Sequence, residues 1–289
     1  SFEEFIKSPY FNKNSNVIKL FKYVKKFYPE FKNEKLKKEI AWTGIFKGRK
    51  INYGIMKNLI HELNKLVEKF LELLEYEKNE FDAGLNLLNQ LRQRNLNLRF
   101  EKLLKIYKDR ISCSQISTKY YYYNHSIEEL EQFYNYEFYK IKNKYYGNSE
   151  KLNKYLFSYF FSTFFYQNYN ALGIKKFFNT EQSTKELEVM LEFFEKNNFE
   201  RDFLTMLYYY GIKLILNPED EELYYESKRI FKENLDKLDR ATKFNIGCIL
   251  TNYCAGHIMN GNLKFNSEQF ELFKLLLKND ILTKYEGEY

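Results

Sequence analysis

Apolar residues recur every three or four positions along most of the chain, and that spacing predicts helices. Val17, Leu20, Phe21 and Val24 form a stripe behind Ser15, which reads as an N-cap, and the stripe ends before Pro29. Asn33 is placed to cap a second helix through Leu36, Ile40 and Trp42 toward Phe46. Lys47-Gly48-Arg49-Lys50 then makes a turn. The clearest helix follows over 53–76. Met56, Leu59, Leu63, Leu66, Phe70 and Leu73 lie on one face, and Lys57, Glu62, Lys65, Glu68 and Glu72 on the other.

Beyond residue 78 the same period predicts helices over 79–93, 96–112, 126–146, 150–172, 183–196, 199–215, 220–236, 240–259 and 267–279. Short breaks separate them at Asn95, Gly147-Asn148-Ser149, Asn197-Asn198, Asn217-Pro218 and Gly261-Asn262. Ser126 before Glu128 and Glu129, and Ser149 before Glu150, read as helix starts with acids in the first turn, where the helix dipole favours them. Pro218 reads as lying just inside a helix start. Only 3 prolines and 11 glycines punctuate 289 residues, which suits long helices and argues against an all-β fold. The expected fold is all-α, with a small basic helical module over 1–77 and helix pairs over 78–289.

Helices of this length joined by short loops repeat at roughly 35–40 residues, the period of right-handed, tetratricopeptide-like α-solenoids. The run Phe199 to Asn217, Asp220 to Leu235 and Arg240 to Asn260 resembles tetratricopeptide-type repeats in length and in its large apolar positions. It departs from them in lacking most of the small residues expected where paired helices touch. The N-terminus carries Phe5-Ile6-Lys7-Ser8-Pro9-Tyr10-Phe11-Asn12, then Tyr28-Pro29-Glu30-Phe31, then the helix from Asn58-Leu59 to Phe70-Leu71. In these it resembles a family of uncharacterised, long helical-repeat proteins of Bacteroidota-type bacteria. That resemblance implies helical-repeat architecture and brings no activity with it. The apolar positions Phe270, Phe273, Leu275 and Leu276 are not followed by a polar capping helix. The chain therefore reads as part of a longer array, or as one whose last face meets a partner.

Composition changes the packing expectation. The chain has 27 Tyr and 28 Phe but five alanines, so the helices are expected to pack on large rings and to sit well apart. An AT-rich genome, which favours Lys, Asn, Phe and Tyr codons, accounts for the bias. Tyr155 to Ile174 runs twenty residues without a charge, long enough to span a bilayer. Its load of Ser158, Ser162, Thr163, Gln167, Asn168 and Asn170 marks it instead as a helix buried on two sides of a stack. Three scattered cysteines make no disulfide framework and fit a reducing, cytoplasmic setting.

Charge is uneven. Residues 1–70 hold 16 Lys+Arg against 7 Asp+Glu, whereas the whole chain is +7, so the basic excess sits at the N-terminus. Two helices flanking the basic turn resemble a helix-turn-helix or winged-helix module, with Lys47, Arg49, Lys50 and Lys57 as nucleic-acid contacts. A solvated basic face is the simpler alternative. The tyrosine runs 120–123 and 208–210 offer Tyr121, Tyr122 and Tyr209 as anchors for a protein or peptide partner, or as packing residues. Cys248, Cys254 and His257 cannot all face one way on a helix and read as core residues, not as a metal site. No phosphate loop, nucleophile elbow or zinc-protease motif occurs, so no catalytic residue, metal or cofactor is expected. The expected function is a non-catalytic protein- or peptide-binding scaffold. A nucleic-acid-binding regulator and a structural subunit of a larger assembly are the alternatives.

Overall fold

The computed structural model describes residues 1–139, 149–178, 184–197 and 200–282. Among the described residues there are thirteen α-helices and no β-strand. They are α1 (Phe2–Lys7), α2 (Ser15–Lys25), α3 (Lys38–Ile45), α4 (Tyr53–Lys78), α5 (Glu80–Gln93), α6 (Asn97–Ser112), α7 (Thr118–Tyr139), α8 (Ser149–Phe178), α9 (Lys185–Lys196), α10 (Phe203–Leu216), α11 (Glu221–Glu233), α12 (Arg240–Met259) and α13 (Phe265–Lys278). The chain divides into two compact units, Ser1–Asn86 and Leu87–Tyr289. The division falls inside α5. The expected break at Gly147-Asn148, the helix limits at 146 and 183, Asn198, Phe199 and the stretch from Thr283 to Tyr289 lie outside the described residues.

In the first unit the starts of α2 and α4 are set by asparagines. The Asn14 and Asn52 side chains accept the Asn16 and Ile55 amides and satisfy donors that a helix start leaves open. Asn33 caps only a 3-10 turn, Glu34–Leu36, so the helix expected to run from there to Phe46 starts instead at Lys38. Val17 and Leu20 of α2, Ala41 and Trp42 of α3, and Met56 and Leu59 of α4 close one core. Gly44 lets α3 lie directly on Tyr23, since a Cβ there would come 2.4 Å from the ring.

In the second unit the helices pack mostly on those next, or next but one, in the chain. α6 meets α7, α7 meets α8, and α8 meets α10. In turn α10 meets α11 and α12, and α12 meets α11 and α13. The core is ring-rich, as expected. Phe161, Phe165, Phe194, Tyr224, Phe231 and Phe265 are all fully buried. Small residues do stand at two of the helix contacts. Gly211 of α10 faces Ile249 of α12, and Gly247 of α12 faces Leu276 of α13, where an added Cβ would come 2.7 Å from a Leu276 methyl. Two glycines therefore do what alanines do in other helical stacks. One period is not kept, because α7 and α8 have 22 and 30 residues while α9 and α10 have 12 and 14.

Three local readings change. α7 begins at Thr118, so Ser126 lies inside the helix, where its hydroxyl donates to the Tyr122 carbonyl at 2.9 Å. Asp220 is the N-cap of α11, accepting the Leu223 amide, so Pro218 lies outside the helix in the preceding loop. The uncharged run 155–174 sits within α8 between α7 and α10. It buries Ser158, Phe161, Ser162 and Phe165 and exposes Leu156, Phe160, Gln167 and Asn170. Among the described residues, no helix is long and apolar enough to cross a membrane.

Candidate functional site

The second unit contains a cleft of about 520 Å³, a size typical of ligand sites. Three helices line it, each with residues three or four positions apart. α8 contributes Tyr169 and Gly173, and α10 contributes Gly211, Leu214 and Ile215. α12 contributes Ile249, Asn252, Tyr253, Gly256 and His257, and Asn260 follows at its C-terminal cap. The loops add Pro218, Glu219 and Asn262, and α11 adds Glu221 at its start. The floor is apolar, while amide side chains and carboxylates surround it.

One wall is fixed by a shared acceptor. The Pro218 carbonyl receives the Tyr253 hydroxyl at 2.8 Å and the His257 Nε2–H at 2.9 Å. A carbonyl oxygen has two lone pairs, so both bonds form together and hold the loop before α11 against α12. The Tyr253 ring stacks on Tyr224 at 5.0 Å, and the His257 ring stacks on Phe265 at 4.4 Å. Across the cleft the Asn252 amide donates to the Tyr169 hydroxyl at 3.3 Å, joining α12 to α8. Burial, then the carboxylates Glu221, Asp220 and Glu219, push the Tyr253 hydroxyl up to about 12. Burial is the larger cause, and the three carboxylates add a negative field at this end of the cleft.

Two lining glycines are conspicuous for having room. An added Cβ at Gly173 or Gly256 would meet nothing within 4 Å. A glycine inside a helix costs roughly 0.5–1 kcal/mol relative to alanine. Neither glycine is required by a left-handed backbone or by a helix contact, so what each provides is open space in the cleft.

The residues singled out from sequence go elsewhere. Tyr121 is 5% exposed, and its hydroxyl donates to the Asp202 carboxylate. That carboxylate caps α10 through the Leu204 and Thr205 amides, each at 3.0 Å. Tyr121 is thus a core residue tying α7 to the start of α10, and it presents no surface to a partner. Replacing it with Phe is expected to lower stability by about 1.5–3 kcal/mol, the scale of a hydrogen bond to a charged group. An unchanged urea midpoint for the full chain would show that the bond contributes nothing. Tyr209 is half-buried, with its ring 5.0 Å from Phe194 and its hydroxyl donating to Glu195 at 2.7 Å. Lys213 joins the same carboxylate at 3.1 Å, so Tyr209 is engaged within the fold, not directed outward. That Tyr209 bond, then Lys213, holds the Glu195 carboxyl below the usual range. Tyr122 is 41% exposed and packs 5.5 Å from Tyr159, away from the cleft.

Lys47, Arg49, Lys50 and Lys57 belong to the first unit and are all exposed. The turn that carries three of them is held in place. Gly48 takes a positive φ of 72°, and the Trp42 Nε1–H donates to the Arg49 carbonyl at 3.0 Å. Residues 46–52 separate α3 from α4, a longer link than the turn of about 3–4 residues in a helix-turn-helix. Cys254, His257 and Cys248 have separate surroundings. Cys254 is buried and donates to the Tyr224 hydroxyl at 3.3 Å, His257 serves the Pro218 carbonyl, and Cys248 is half-buried. Among the described residues no group of three His, Cys, Asp or Glu side chains is placed to hold a metal ion.

Sequence reasoning missed the cleft because its residues were read as breaks or as bulk composition. A signal was present. Asn252 and Gly256 on α12 and Asn260 at its C-terminal cap recur every four residues, small and amide positions among rings and branched chains. Comparison with protein-family models, with curated proteins and with solved structures finds no match.

Proposed function

We propose that the chain is a non-catalytic helical-repeat scaffold that holds a segment of a protein partner in the cleft between α8, α10 and α12. In this reading α6 to α13 form a tetratricopeptide-like, right-handed stack of helix pairs. The observation that carries it is the cleft itself: an apolar floor, amide groups from Asn252 and Asn260, and space kept open by Gly173 and Gly256. An asparagine amide offers both a donor and an acceptor, which matches the main chain of an extended peptide. The neighbour-on-neighbour packing of the helices supports the repeat architecture.

Gly256→Trp tests the reading. The site has room for a side chain, and the change favours the helix, so the fold is expected to survive while the cleft is filled. Random-peptide phage selected on the immobilised full chain should enrich sequences that bind the wild type. Gly256→Trp should bind them on the order of a hundredfold more weakly, since a filled pocket removes the central contacts. Enriched peptides that bind both proteins equally would place recognition elsewhere, and a selection that enriches nothing would end the peptide reading. Circular dichroism of the variant confirms that the helices are retained.

A further inference from the structure

Resting on the reading of the cleft as a peptide site, we infer that its occupant is an extended segment bearing a Lys or Arg side chain at the Glu219 end, next to an apolar side chain on the floor. Three observations converge on this chemistry. The floor is set by Gly211, Leu214 and Ile249, and Gly211 is packed against Ile249, so the bottom is apolar and closed. Such a floor accepts an uncharged side chain and rejects a charge that it cannot pair. Above it, the amides of Asn252 and Asn260 lie four residues on either side of Gly256. An extended strand passing over that glycine meets an amide at each end, one of whose hydrogens, at Asn252, already goes to the Tyr169 hydroxyl, and Gly256 itself puts no side chain in its way.

The third observation is charge. Among the described residues that line the cleft, the carboxylates are Glu219 and Glu221, there is no Lys or Arg, and the His257 ring is bound to the Pro218 carbonyl. Lys264 pairs with Glu221 at 2.7 Å and holds its carboxyl below the usual range, so that charge is already countered. Glu219 is exposed in the loop that Tyr253 and His257 pin to α12. Its carboxylate is therefore presented from a fixed backbone. A cation arriving there meets an attractive field without having to break an existing pair. An acidic segment would face Glu219 directly and be repelled.

The test uses fluorescein-labelled synthetic copies of the selected peptides and fluorescence anisotropy on the full chain. Replacing the peptide's basic residue by Glu should weaken binding to the wild type on the order of tenfold or more. Against Glu219→Lys the order should invert, with the Glu-bearing peptide the tighter one. Glu219 lies in an exposed loop with its side chain outside the core, so this variant folds as the wild type does. Peptides that lose binding with Gly256→Trp yet ignore Glu219→Lys would overturn the charge inference and leave the cleft reading standing. Peptides indifferent to both would overturn the cleft reading as well. Spermidine is the control for a free amine. If it displaces peptides of every sequence equally and itself depends on Glu219, the occupant is a small polyamine and the inference fails.

Discussion

Truncating Phe194 to alanine is expected to destabilise the second unit by about 3–5 kcal/mol, the largest effect of any single substitution there. Phe194 is fully buried, and its ring joins two helices to its own. It lies 4.9 Å from Phe161 and 5.1 Å from Phe165 of α8, both edge-on, and 5.0 Å from Tyr209 of α10. The Arg201 guanidinium sits over it at 4.7 Å. Alanine would lose the transfer energy of the ring and leave a cavity that rigid neighbouring rings cannot collapse to fill. It would also forfeit the edge-to-face contacts, each worth about 0.5–1.5 kcal/mol beyond area. For a unit of about 200 residues the melting midpoint should fall on the order of 10 °C. Phe194→Leu should recover more than half of that loss, because leucine keeps most of the volume. A thermal melt in which the alanine variant matches the wild type would show that the ring cluster does not hold α9 in place.

Trp42→Ala should have the comparable effect on the first unit, also about 3–5 kcal/mol. The smaller unit has less core to spare, since the buried fraction rises with size. Trp42 is 4% exposed, packs 4.5 Å from Phe46, and lies among Val17, Leu20, Met56 and Leu59. Its indole N–H also fixes the Arg49 carbonyl, so the basic turn loses its tether when the ring is removed. Limited proteolysis should then cut within residues 1–86 at protease levels that leave the wild type whole. Trp42→Phe separates the two roles. It keeps most of the packing and loses the hydrogen bond, at a cost of about 1 kcal/mol. An alanine variant with an unchanged cleavage pattern would refute the assignment of Trp42 as the centre of that core.

Much of the helical layout is legible in the sequence where periodicity and caps agree. α12 spans Arg240–Met259 as expected, with Asp239 accepting the Thr242 amide at its start, and α4 begins at Tyr53 behind Asn52. α7 was misplaced for a physical reason. Tyrosine has a middling helix preference, so four in a row give no local sign of a helix. Burial of Tyr121 and Tyr123 against neighbouring helices decides the matter, and that is a tertiary effect. The Ser117 hydroxyl accepting the Tyr120 amide marks the true start, and the first helical residue, Thr118, lies eight residues before Ser126. Gly211 and Gly247 show the same limit. Their value lies in which helix approaches them, and spacing within one helix does not name the partner. The cleft was illegible for a further reason. Asparagine and glycine commonly mark turns, and only the three-dimensional convergence of α8, α10 and α12 gives Asn252, Gly256 and Gly173 a shared surface.

The placement of Trp42 has an optical consequence. It is the only tryptophan in the chain, and it lies in the core of the first unit. The tyrosines are distributed the other way, with only Tyr10, Tyr23, Tyr28, Tyr53 and Tyr76 of the 27 falling before residue 87. Selective excitation of the indole therefore reads the surroundings of the basic turn alone, while the ultraviolet signature of the phenol rings is dominated by the second unit. The unmodified molecule contains two separate spectroscopic channels, one for each unit.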